Sequence, residues 1–229
     1  MDENELVAGH TVLDVIVGDG ACGLADPEVP GDDPPRRAVY VAPTESFWRL
    51  DKPPASVSGP GVDTLSWEIE TCCALGLAAD PAVFDALGSP LTQRCTEVGE
   101  ELRALLPALL SQRAADAYRR ATATEFARAS AAMAGGGTPR WRQVAEVIRL
   151  LIGCEHLLRT GELVADVSKY RDELLAVRAG DMAWSDASSW VESLRDRSAE
   201  AVLRSPLPVT PDTGTVQDWL SSVRRRHLG

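Results

Sequence analysis

The sequence predicts an α+β fold: a small mixed sheet with flanking helices, followed by a helical C-terminal region. Three observations carry this reading. Residues 1–90 hold two short apolar runs separated by a glycine- and proline-rich loop. After Pro90 the composition turns to Ala, Leu, Arg and Glu. Apolar residues then recur with helical spacing to the end of the chain. The expected division is an α/β domain over 1–90 and a helical domain over 91–229.

The elements follow in order. "TVLDVIVG" (11–18) reads as a buried strand that ends at a glycine. "GACGLADPEVPGDDPPRR" (20–37) is loop, because Pro27, Pro30, Pro34 and Pro35 punctuate it. "AVYVAP" (38–43) is a second strand, stopped by Pro43. Residues 44–61 are irregular, with a helical turn around Phe47 and Trp48. "DTLSWEIETCCALGLAA" (63–79) starts as strand and turns helical, with Ile69, Cys72, Cys73, Leu75 and Leu77 on its apolar face. Residues 96–133 are helical, with Pro107 starting or kinking a helix. "AGGGTP" (134–139) is a linker. Residues 140–162 form the strongest amphipathic helix, its stripe running through Val144, Val147, Ile148, Leu151, Ile152 and Leu158 and stopping at Gly161. Further helices are expected over 166–181, capped by Ser168 and ended near Gly180, then over 185–205 and 213–227. The six tryptophans, Trp48, Trp67, Trp141, Trp184, Trp190 and Trp219, are spread across the elements and read as core anchors.

Charge and cysteine content narrow the function classes. The formal charge is −11 in 229 residues, which disfavours general attraction to nucleic acid or an anionic membrane. Five cysteines (Cys22, Cys72, Cys73, Cys95, Cys154) show no C-x-x-C spacing, so no disulfide framework is expected and a reducing, cytoplasmic compartment fits. The first ten residues are acidic, so no signal peptide is expected, and no apolar run is long enough for a membrane span. Three histidines offer neither zinc spacing nor a Ser-His-Asp arrangement.

Gly18-Asp19-Gly20-Ala21-Cys22-Gly23 spells G-x-G-x-x-G. A dinucleotide loop must follow a strand and open a helix, whose N-terminus holds the pyrophosphate. The strand is there, but the prolines that follow forbid the helix. The pattern is instead strand, glycine turn, loop, acidic pair, strand.

That order resembles the DNA polymerase β-like nucleotidyltransferases. "GLADPE", "RRAVYVAPTESFWRLDKPP", "VSGP", "SWEIE", "ADPAVFDALGSPL", "IRLLIGCEHLLRTGEL", "ELLAVRAGD" and "SPLPVTPD" extend the likeness along nearly the whole chain. They are similar to a bacterial branch that includes members associated with RNA ligases. The resemblance implies a Mg²⁺-dependent transfer of a nucleoside monophosphate from an NTP to an acceptor. It places the triphosphate on the turn carrying Gly18, Asp19, Gly20 and Gly23. It places Asp33, with Asp32, and Asp63 or Glu68 as the catalytic carboxylates, with Asp33 and Asp63 as metal ligands. Arg36, Arg37, Arg142 and Arg149 are the candidate phosphate-binding residues. Two hard cations clamping an in-line phosphoryl transfer require such clustered carboxylates.

The chain departs from the family pattern at its chemical positions. The family turn has Gly-Ser where this chain has Gly18-Asp19, and a carboxylate repels a triphosphate unless a metal intervenes. Aligned on Arg36-Arg37, the family's two aspartates fall on Asp33 and Pro35, and proline binds no metal. The family's helical Lys and His fall on Arg142 and Glu146. Two readings stay open. One is a nucleotidyltransferase. The other is a degenerate homologue that serves as a binding or regulatory module, with a partner protein, or that runs a new reaction in the same cleft. The ordinary fates of these residues also stand: paired aspartates in such a loop are commonly solvated turn residues, and exposed arginines commonly form surface ion pairs.

Overall fold

The computed structural model describes residues 2–25, 34–61 and 63–228. The chain groups into two compact units. The first contains the sheet and is built from the chain up to residue 78, from 82–109 and from 211–228; the second is helical and covers 110–210. The boundary drawn at residue 90 rests on composition, whereas contacts group 91–109 and the terminal helix with the sheet.

The sheet unit opens with helix α1 (Glu3–His10), which Asp2 and Glu5 close with a capping box. Strands β1 (Thr11–Ile16), β2 (Arg36–Tyr40), β3 (Ser56–Ser58), β4 (Thr64–Glu68) and β5 (Thr92–Cys95) form one sheet in the order β3-β4-β2-β1-β5. Only β2 and β4 run parallel; the other pairings are antiparallel. The central strands are rich in Val, Leu and Ala because both faces are covered: Leu13, Val15, Val39 and Tyr40 are all buried. The two edge strands are short and largely polar, which limits pairing with other chains.

Helices α2 (Ile69–Leu77), α3 (Pro81–Gly88), α4 (Glu97–Ala104) and α5 (Leu106–Leu109) follow. α4 begins directly on β1. Thr96 donates its N–H to the Val12 carbonyl at 2.9 Å, and its hydroxyl accepts from the Gly99 N–H. A Cβ on Gly99 would lie 2.3 Å from that same carbonyl, so only glycine fits this approach. The second unit holds α6 (Arg113–Ala134), α7 (Trp141–Thr160), α8 (Arg171–Ala179) and α9 (Trp184–Val202). Gly161 and Gly180 end α7 and α8 in left-handed geometry, as the sequence predicts. Ser168 instead sits in a 3-10 turn, and α8 starts after Tyr170. α10 (Thr213–Arg226) closes the chain and returns to the sheet unit.

The tryptophan expectation needs one correction. Trp67 is buried, but Trp48 is 71 % exposed. It ends a 3-10 turn (Thr44–Trp48) whose inward residue is Phe47, packed on Leu6, Tyr40, Ala42 and Val57.

Candidate functional site

The antiparallel β1–β2 and parallel β2–β4 pairings bring four predicted features to one edge of the sheet. The end of β1, the start of β2 and the start of β4 all lie there. The glycine turn, Arg36, Arg37 and Asp63 therefore meet at this edge.

The turn is a single 3-10 turn over Gly18–Gly20, with Gly18 at φ 73° and Gly23 at φ 79°. The Gly18 carbonyl accepts from the N–H groups of Ala21 and Cys22, and the Asp19 carbonyl from those of Leu24 and Ala25. Glycine supplies the left-handed geometry that lets the chain double back so tightly. No α-helix opens from it among the described residues.

Pro35 extends the β1–β2 ladder: its carbonyl accepts from the Val17 N–H at 2.9 Å. Its ring lies within contact distance of where a Gly18 Cβ would stand. The position thus seals the turn to β2.

Both arginines that begin β2 are paired with carboxylates. Arg36 holds both oxygens of Asp14, a polar residue in the middle of apolar β1. Arg37 donates to the Asp63 backbone carbonyl at 2.6 Å and to its carboxylate at 3.0 Å. Asp63 adopts φ 54°, a conformation that Asp tolerates better than most residues. Asp14 escaped the sequence reading, although an aspartate between Leu13 and Val15 was a visible signal.

Glu68 lies at the other end of β4. Strand rise is about 3.3 Å per residue, so it stands roughly 16 Å from Asp63. It is 2 % exposed and is the N-cap of α2, accepting the Glu70 N–H at 2.8 Å. Arg224 of α10 grips it with two parallel bonds, at 2.9 and 2.8 Å. The Ala42 N–H adds a third donor, and the Phe47 ring lies 4.3 Å from the Arg224 guanidinium. Burial pushes the neighbouring Cys73 thiol up to about 12, and the Glu68 carboxylate adds to that. Burial likewise raises the Tyr40 hydroxyl to about 12, with Glu68 and Glu3 contributing. Both groups stay neutral at physiological pH.

Asp32 and Asp33 lie outside the described residues. Arg142 is exposed on α7, and Arg149, also on α7, pairs with Glu146 at 2.7 Å; both belong to the helical unit. A divalent ion needs converging oxygen donors. Asp63 and Glu68 stand at opposite ends of a strand, each on an arginine, and do not fit one. No group of three or more His, Cys, Asp or Glu suited to a metal occurs among the described residues.

This architecture, a five-stranded mixed sheet with a glycine turn after its first strand, accompanies one decisive match. The RlaP family model, described as the RNA repair pathway DNA polymerase beta family, covers residues 3–211. The chain belongs to this family. It is thereby a polymerase β-like nucleotidyltransferase-fold protein. No curated protein and no solved structure matches the chain. The family match ends at 211, so α10 and its Arg224 lie beyond it. No single helix among the described residues is long and apolar enough to cross a membrane, and the five cysteines are free.

Proposed function

We propose that this chain is a catalytically degenerate member of the RlaP family, working in RNA repair as a binding or regulatory module without nucleotidyl transfer. One observation carries the reading: the two candidate third carboxylates, Asp63 and Glu68, are each committed to an arginine. The substitutions point the same way. Asp19 replaces a phosphate-donating hydroxyl, and Pro35 replaces a metal ligand and closes the ladder beside the turn. The basic pair that would meet a triphosphate is neutralised by Asp14 and Asp63. The five free thiols are consistent with a bacterial cytoplasm as its compartment.

The second reading is a Mg²⁺-dependent nucleotidyltransferase with Asp33, Asp32 and Asp63 as its carboxylates. It is favoured by the position of Asp63, beside Arg37 and at the same edge as the glycine turn. Calorimetric titration of ATP, GTP, CTP and UTP, each with and without Mg²⁺ or Mn²⁺, separates the two. The module predicts no metal-dependent binding and no transfer of label from α-labelled NTPs to RNA. Metal-dependent binding of one nucleotide, lost in Asp33→Asn and Asp63→Asn, establishes the enzyme instead.

A further inference from the structure

We infer that the turn ending at Trp48, the residues that follow it and the C-terminal end of α10 form a docking surface for single-stranded RNA. The inference goes beyond the reading above and holds whether or not nucleotidyl transfer survives.

The surface starts from an indole held outward. Phe47 packs into the cluster of Leu6, Tyr40, Ala42 and Val57, and so anchors the turn that displays Trp48. Trp48 is 71 % exposed and Leu50 fully so. Large apolar groups gathered on one loop mark interaction sites more often than isolated ones do.

The helix end is fastened to this turn. Thr44 donates its N–H to the His227 carbonyl at 3.2 Å and its hydroxyl to the Arg224 carbonyl at 2.8 Å. Of the three arginines there, Arg224 is committed to Glu68 and Arg226 to Glu101. Arg225 is exposed, as is Arg49 next to Trp48. Among the described residues neither guanidinium has a hydrogen-bond or ion-pair partner. Lys52 donates to the Phe47 carbonyl and steadies the loop.

An exposed indole next to the unengaged Arg49, on a turn bonded to the helix end that carries the unengaged Arg225, matches the chemistry of a single strand. Bases stack on the ring, and phosphates meet the arginines. A duplex keeps its base faces stacked and offers none to Trp48. The charge balance sharpens this choice. Glu45 and Asp51 cancel Arg49 and Lys52 within the loop, Glu70 lies beside Arg224, and the whole chain is acidic. Charge alone therefore holds no polyanion here, and stacking must supply much of the affinity. The family's place in RNA repair makes RNA the strand to test.

The experiment is fluorescence anisotropy with a labelled 12-nucleotide single-stranded RNA and the full chain, at low salt, without NTP or metal. Saturable binding is expected, tighter than to a duplex of the same length. Trp48→Ala should weaken it about 5- to 100-fold and Trp48→Phe much less. The double charge reversal Arg49→Glu with Arg225→Glu should weaken it and lower the salt slope by about two. Arg197→Glu with Arg204→Glu, an equal charge change on exposed arginines of the helical unit, should leave binding intact. All these side chains are exposed, so the variants should fold. Absence of RNA binding overturns the inference, as does binding indifferent to Trp48 and the two arginines. A protein captured through Trp48 with RNA left unbound overturns it too. With neither nucleotide nor metal present, the assay fails or succeeds independently of the titration above.

Discussion

The two ends of β4 carry the same chemical pair in different surroundings. At one end Asp63, its side chain 59 % exposed, meets Arg37; at the other Glu68, its side chain 3 % exposed, meets Arg224. Water reaches the Asp63 carboxylate and screens the first pair, so it contributes little to stability. The second pair has been taken out of water. Its members depend on each other, because either alone would be a buried, uncompensated charge. One chemical pair, acid facing arginine, thus serves as a solvent-screened contact at one end of a strand and as an internal fastening at the other.

The comparison can be broken most forcefully at the buried end. Arg224→Ala should lower stability by about 3–5 kcal/mol in urea unfolding, since Glu68 keeps its place without its partner. Removing both charges, in Glu68→Gln with Arg224→Met, should cost clearly less than Arg224→Ala alone. A double variant as damaged as the single one would show that the cost is packing, not charge.

Next in size is the turn at the exposed end. Gly18→Ala has room, with only the Pro35 ring in ordinary contact, but must hold φ 73°. The backbone penalty alone should cost about 1–2 kcal/mol. Thermal unfolding measures it.

A third test concerns an intermediate case, Glu101. The hydrogen bonds from Arg226 lower its pKa from 4.5 to about 2, against a smaller opposing effect of burial and with help from Trp219. A depressed carboxylate contributes stability above its unfolded pKa and loses it as pH falls towards the folded value. The native chain should therefore lose this contribution between about pH 4.5 and 2. Glu101→Gln should flatten that part of the acid-unfolding curve. The Trp219 indole, 2.7 Å from Glu101, makes fluorescence a suitable readout.

The smallest effect belongs to Asp63. Asp63→Asn keeps a residue that tolerates positive φ and removes only the charge, so the change should stay below about 1 kcal/mol by urea unfolding. A loss as large as that of Arg224→Ala would mean that the exposed edge is as dependent on its pair as the buried one.

What was legible in the sequence follows from how local each signal is. β1, the strand-to-helix change at Glu68–Ile69, α7, α9 and α10 show in apolar spacing, because each buries a face of its own. The edge strands β3 and β5 are three and four residues long and mostly polar, so no alternation marked them. α1 buries only Leu6 and gave no periodicity to read. Near the site, glycines announced the tight turn because the backbone there demands them. The partners of Glu68 were hidden, since nothing near it in sequence points to an arginine 156 positions later. Glu68 was read as a catalytic candidate for the acid it is; its neighbours assign it a cap and a clasp.

That distance has a consequence for biosynthesis. The strand bearing Glu68 leaves the ribosome 156 residues ahead of Arg224. Domains usually fold as they emerge, N-terminal first. Here the sheet unit cannot acquire its closing charge until the entire helical unit has been synthesised. During that interval the nascent chain carries an unmatched acid, which favours leaving this corner open to water. A chain stalled or truncated before α10 would therefore present quality-control proteases with an unfinished sheet unit, even if its helical unit were complete.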